Sequence, residues 1–140
     1  MPVNRRQFVK RSSAAAAAIG TPMVCSSRVL GANDEILVGL VGTGGRGTGT
    51  HLPQFERQKG VTVVAVSDAD HGRMASAAKI LESRYHHKAQ QYPDMRKMFE
   101  RKDIDVIGNA TQVYWHGLST IWACQAGKHV YVEKPASRYI

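Results

Sequence analysis

Ile36-Leu37-Val38-Gly39-Leu40-Val41 is an apolar run that leads without a spacer into Gly42-Thr43-Gly44-Gly45-Arg46-Gly47, and a second run, Val61 to Ser67, ends at Asp68. Strand, G-x-G-x-x-G, helix, strand and then an acid about 20 residues on is the order of a dinucleotide-binding βαβ unit. Glycines alone punctuate many turns, so the flanking strands and the acid carry the reading. Gly42 allows the tight turn, Gly44 lets a pyrophosphate approach the backbone, and Gly47 lets the next helix pack against the strand. The loop from Gly42 to Gly47, with Thr43, Gly45 and Arg46 inside it, is expected to hold the phosphates. There, unpaired N–H groups and backbone partial charge at a helix start favour an anion. Asp68 is expected to accept from the adenosine ribose hydroxyls. Its charge would repel a 2′-phosphate, so the expected cofactor is NAD rather than NADP.

From Asp34 onward strand and helix signals alternate, which predicts an α/β fold with a doubly wound parallel sheet of the Rossmann kind. The first helix runs from the glycine loop toward Gln58 and is weakened by Gly49 and Pro53. Asp70 is placed to cap a second helix whose Met74, Ala77, Ala78 and Leu81 share a face. Ala89 to Tyr92 is a short third strand, and Met95, Met98 and Phe99 stripe the helix after it. Asp105 to Thr111 is the fourth strand and Trp115 to Ala126 a helix, stopped at Gly127. His129 to Glu133 is the fifth strand.

The formal charge of +8 would suggest a nucleic-acid partner, but five of the basic residues fall in 1–32, a stretch without an acid. Beyond it the excess is three, with both signs interleaved, so no nucleic acid is expected. The two cysteines suggest neither a disulfide nor a metal site: Cys25 precedes the fold, and Cys124 reads as a small buried hydrophobe. The histidines lack metal-ligand spacing, and His86-His87 reads as a solvated surface pair.

Residues 1–32 read as a signal segment: Asn4-Arg5-Arg6-Gln7-Phe8-Val9-Lys10, then Arg11-Ser12-Ser13 and five alanines. The paired arginines with Phe8 and Lys10 resemble a twin-arginine signal, and the alanine-rich middle is too short for a stable membrane span. The expected location is bacterial and periplasmic or otherwise extracytoplasmic. An exported nucleotide enzyme has no free pool of NAD, so it is expected to hold its cofactor tightly and regenerate it in place. Residues 33–140 are then the dinucleotide-binding domain.

Ala123-Cys124-Gln125-Ala126-Gly127-Lys128-His129-Val130-Tyr131-Val132-Glu133-Lys134-Pro135 resembles the Gfo/Idh/MocA family of oxidoreductases, and the string is far more specific than the glycine loop. The resemblance covers 36–140 in matching order: glycine loop, Asp68, Ala110-Thr111, Trp115-His116, Glu133-Lys134-Pro135. It implies that Lys134 lies beside the nicotinamide as the catalytic residue, orienting substrate or relaying a proton. Thr111, His116 and Glu133 are implied on the cofactor side, and a cis bond is implied before Pro135. Independently, a lysine at a strand's carboxyl end, partly desolvated, suits acid/base work. A histidine at a helix start, as at His116, also suits capping or packing. Gln112-Val113-Tyr114 departs from the family's usual proline followed by polar residues.

Members of this family continue into an α/β substrate domain, so the chain is expected to be a truncated form with that domain absent and its fifth strand left at the sheet margin. For the full-length form the resemblance implies an oxidoreductase acting on a sugar, polyol or amino sugar, as a homo-oligomer. The alternatives are a redox-neutral NAD-dependent glycosidase of the same superfamily, or a non-catalytic nucleotide-binding fragment.

Overall fold

The computed structural model describes residues 35–138. The leader assigned to 1–32 lies outside them. Five parallel strands, β1 (Ile36–Val41), β2 (Val61–Ser67), β3 (Gln90–Tyr92), β4 (Val106–Asn109) and β5 (His129–Val132), form one sheet in the order β3-β2-β1-β4-β5. The chain winds outward from β1 to β3, then returns to the other side of β1, so strand order reverses between β1 and β4. This is the expected doubly wound sheet, and β5 is one of its margins.

Helices α1 (45–56) and α2 (His71–Tyr85) supply Leu52, Met74, Ala77 and Leu81 to a core with Val38, Leu40, Val63 and Val66. Helices α3 (Met95–Phe99) and α4 (Val113–Gln125) supply Met98, Phe99 and Ala123 to a second core with Val41, Ala65, Ile104 and Ile107. A sheet covered on both faces needs apolar residues at successive positions, and for that reason β1 and β2 read as continuous runs. The edge strands β3 and β5 are shorter and more exposed.

The expected weakness of the first helix takes a definite form. Gly47–His51 is a wider π turn, closed by the Leu52 N–H on the Gly47 carbonyl, before Leu52–Glu56 resumes α geometry. Pro53 accounts for its position: it has no N–H for the carbonyl of residue 49, and in α geometry its ring would collide with that carbonyl. Asp70 caps α2 as expected, its side chain accepting from the Arg73 N–H, and that bond holds its carboxyl below the usual value. Gly127 has φ 76°, the left-handed turn expected after α4.

Element ends differ by a residue or two from the sequence reading. β4 begins at Val106 because the Asp105 carboxylate takes the Leu37 N–H in place of a strand partner. It closes at Asn109, although the Ala110 N–H still reaches the Val41 carbonyl. α4 begins earlier than expected, at Val113, because the extended Gln112 sets up its first turn.

Two side chains correct the sequence reading outright. Cys124 is exposed rather than buried: α4 turns His116, Ser119 and Ala123 inward, and Cys124 follows Ala123 by about 100° around the helix. His87 is not simply solvated, since its Nε2 lies 3.0 Å from the largely buried Glu56 carboxylate.

Candidate functional site

Strand register builds the site. Val41 lies level with Ser67 and Asn109, Ser67 with Tyr92, and Asn109 with Val132. Gly42, Asp68, Ala110-Thr111 and Glu133-Lys134 therefore emerge together at the carboxyl edge of the sheet, around the point where strand order reverses. Ligands of open α/β sheets bind in that crevice.

The glycine loop is shaped by close approach. Gly42 has φ 84°, and a Cβ there would lie 2.6 Å from the Ala110 carbonyl. At Gly47 a Cβ would lie 1.9 Å from the Gly42 carbonyl oxygen, so only glycine lets α1 close onto the turn. Since α1 starts at Gly45, its first-turn N–H groups have no intrahelical acceptor. The two glycine contacts and these donors together fit a pyrophosphate.

One cleft opens over Gly42, Gly44, Asp68, Arg73, Thr111 and Trp115. Asp68 stands in its wall, but its carboxylate is already engaged. Oδ2 accepts from the Thr43 N–H at 2.7 Å and the Thr43 hydroxyl at 3.0 Å, and Oδ1 accepts from the Asp70 N–H at 2.9 Å. A carboxylate offers about four acceptor sites, and three donors of the protein already use this one. Thr43 is buried, and its side chain fixes Asp68 instead of facing the cleft.

A second cleft is lined by Arg46, Thr111, His116, Glu133 and Lys134. Its floor is a side-chain network. Glu133 Oε1 takes Arg46 Nε and Nη2, each at 2.7 Å, and His51 Nε2 at 2.8 Å, while Oε2 accepts from the Lys134 N–H. Hydrogen bonds from Arg46 first, and then His51, hold the Glu133 carboxyl down at about 2. Arg46 thus closes onto the fifth strand's end rather than lying free on the loop. Thr111 is fixed by its hydroxyl and N–H on Asn109 Oδ1. The Lys134–Pro135 bond is cis. Lys134 is exposed, so the partial desolvation that would favour its losing a proton is not present.

His116 is 3% exposed. Both its ring nitrogens face backbone carbonyls, those of Pro135 and Thr111, so it lines the base of the cleft with its polar atoms already engaged. His51 and Asn109 were not found from sequence. His51 lies in the first helix with nothing in the sequence to mark its contact with a carboxylate 82 positions away. Asn109 did carry a signal: it is an amide within an apolar strand, and such a group needs buried partners, here Thr111 and Ser119.

The family model described as "Oxidoreductase family, NAD-binding Rossmann fold" (Gfo/Idh/MocA) matches residues 36–138. Among curated proteins, the chain is 31% identical over 153 aligned residues to "Glycosyl hydrolase family 109 protein 2" of Shewanella sp. (strain ANA-3), covering 94% of this chain and 33% of that protein. It is 36% identical over 108 residues to "Glycosyl hydrolase family 109 protein 1" of Bacteroides fragilis (strain YCH46), covering 74% and 23%. The chain therefore spans about a third or less of the length of the curated relatives it matches. Among solved structures, myo-inositol dehydrogenase of Lactobacillus casei, in complex with NAD(H) and myo-inositol, superposes with TM-score 0.67 at 29% identity, over 74% of this chain and 29% of that one. Biliverdin reductase of Synechocystis sp. PCC 6803, at 24% identity and TM-score 0.64 over 73% and 29%, shares the fold.

Proposed function

The chain belongs to the Gfo/Idh/MocA family of NAD-binding oxidoreductases, and on that footing we propose that residues 33–140 are the nucleotide half of an enzyme acting on a sugar, polyol or amino sugar. The observation that carries this reading is the cradle of Gly42 and Gly47 facing Asp68, with Lys134 emerging at the same sheet edge. The glycine loop would hold the pyrophosphate and Asp68 one adenosine ribose hydroxyl. Thr111 and the Glu133-Lys134 turn would bound the nicotinamide end. NAD, when bound, supplies hydride acceptance and return. Lys134 would hold or relay the proton of the substrate hydroxyl, its exposure leaving it open to a substrate from the cleft side.

The charge on Asp68 supports NAD over NADP. Calorimetric titration of the chain with both nucleotides tests this, with NAD binding tighter and the gap narrowing in Asp68→Ser. Tighter binding of NADP would sink the preference.

A redox-neutral reading has its own support, because the curated relatives carry the name glycosyl hydrolase. In it the hydride taken from the sugar is returned to the same sugar, so glycoside is cleaved without net consumption of NAD. Chromogenic glycosides assayed alongside reduced-nicotinamide absorbance separate the two: released chromophore with no accumulated NADH supports the hydrolase, NADH in proportion to oxidised sugar the dehydrogenase. A chain that binds NAD and does neither is a nucleotide-binding piece alone.

We also propose that 1–32 direct export of the folded protein. Replacing Arg5 and Arg6 by lysine keeps the charge and is expected to stop it, since Arg and Lys are not interchangeable at a site that reads the guanidinium pair. Unchanged export would contradict the proposal.

A further inference from the structure

One buried ring touches both loops that bound the Lys134 cleft. His116, near the start of α4, has Nδ1 at 2.8 Å from the Pro135 carbonyl oxygen and Nε2 at 3.0 Å from the Thr111 carbonyl oxygen. Both partners accept and neither donates. A neutral imidazole has one N–H and one bare nitrogen, so it can donate to only one of them and must turn a lone pair toward the other. The imidazolium donates to both. Both contacts are partly buried, and an unmatched contact there is costly to the extent that the buried ring keeps water out.

The surroundings leave these carbonyls as the ring's own partners. Glu133, at the end of β5, is the nearby carboxylate of the cleft, and it is engaged by Arg46, His51 and the Lys134 N–H. Arg46 from α1 and Lys134 beyond β5 line the same cleft. Arg138 lies three residues past Pro135. From the β4 side the group nearest in the network is the neutral Asn109, whose amide donates to the His116 carbonyl rather than to its ring.

We infer that His116 is a positioning residue for Lys134: its charged ring ties the Pro135 carbonyl to the Thr111 carbonyl and so fixes the turn bearing Lys134 against the loop bearing Thr111. Loss of the ring proton releases one of the two carbonyls, and the turn and the loop are then no longer joined. The functional meaning rests on the nucleotide reading above, whereas the tie itself does not. A dinucleotide that reaches the Lys134 end is therefore expected to bind more tightly on the acid side of the ring's titration. A nucleotide confined to the Asp68 end is not.

Two measurements on the full chain test this. In the protein labelled with 15N-histidine, with His116 assigned by its loss in His116→Gln, the spectrum at pH 5.5 is expected to show two slowly exchanging ring N–H protons, each coupled across a hydrogen bond to a carbonyl. One is lost as the pH is raised, and the Thr111 and Pro135 carbonyl shifts move with it. A single protected ring N–H at every pH would overturn the inference, and this holds for the wild type even where the variant fails to fold. Second, NAD affinity is expected to be roughly 2- to 10-fold higher at pH 5.5 than at pH 8.5, with 5′-AMP unchanged and the dependence absent in His116→Gln. An NAD affinity that stays flat while the ring titrates contradicts the positioning role. Failure of NAD to bind at either pH counts against the nucleotide reading, and the ring spectrum still decides the tie.

Discussion

At the Asp68 end of the two adjoining clefts, backbone geometry does the shaping; at the Lys134 end, side chains brought from 82 and 87 positions away do it. The first end is a turn that only glycines can make, a helix start with free N–H groups, and one carboxylate held by its neighbour across two adjacent strands. The second is an exposed lysine whose turn is anchored through Glu133 to Arg46 and His51, and through Pro135 to His116. Backbone sites need particular residues at particular positions and leave a motif. Network sites need only that some partner arrive, and they leave little trace in local sequence. The two ends should therefore fail differently when disturbed.

The largest effect is expected from Gly47→Ala. Its methyl would overlap the Gly42 carbonyl, so α1 must move away from β1 and the phosphate loop opens. Overpacking against backbone of this kind costs about 3 kcal/mol or more. Denaturant unfolding of the variant should show that loss, and calorimetry should detect no NAD binding. Near-normal binding would mean that the Asp68 end does not depend on loop geometry.

Glu133→Gln should act through pH. The folded-state value of about 2 lies below the ordinary 4.5, so the charged network contributes fully above that ordinary value and its contribution is lost as pH falls toward 2. The variant should be less stable than the wild type near neutrality, and the gap should close on acidification. Urea midpoints between pH 2 and 6 measure this, and a gap independent of pH would show that the network is not held by charge. In the same variant 5′-AMP affinity should stay within about 2-fold, since the lost bonds lie at the other end.

Thr43→Val is expected to have the smallest effect. It keeps the shape and the backbone N–H bond to Asp68 but removes the hydroxyl donor, worth about 0.5–1.5 kcal/mol. NAD affinity should fall roughly 2- to 10-fold while the pH dependence assigned to His116 persists.

Sequence carried the fold well for the same reason that it carried the first end. β1 and the middle of β2 pack on both faces and are apolar there, Gly42 must reach positive φ, and Asp70 caps α2; each demand leaves a residue type behind. The Glu133-Lys134-Pro135 string was also visible, and it marked where the second end lies. What held it there was not visible. Nothing in the local sequence marks His51, and the π turn that carries it follows from Pro53 only once the helix is seen to widen rather than stop. Cys124 went wrong by one residue, because the apolar pattern of α4 runs around its circumference, with Leu118 and Ile121 exposed and Ala123 buried. The exposure of Lys134 was likewise not legible from its place at a strand end.

The central claim is that one dinucleotide spans both clefts, which meet at Ala110 and Thr111, with its ends on these two differently built regions. Backbone amide shift mapping of the 15N-labelled chain, titrated first with 5′-AMP and then with NAD, tests it most directly. The account predicts saturable shifts at Gly42–Gly47 and Asp68 with 5′-AMP, joined by Thr111, Glu133 and Lys134 only when NAD is added. Shifts at Glu133 and Lys134 already complete with 5′-AMP, or NAD shifts that spare the glycine loop, would contradict it.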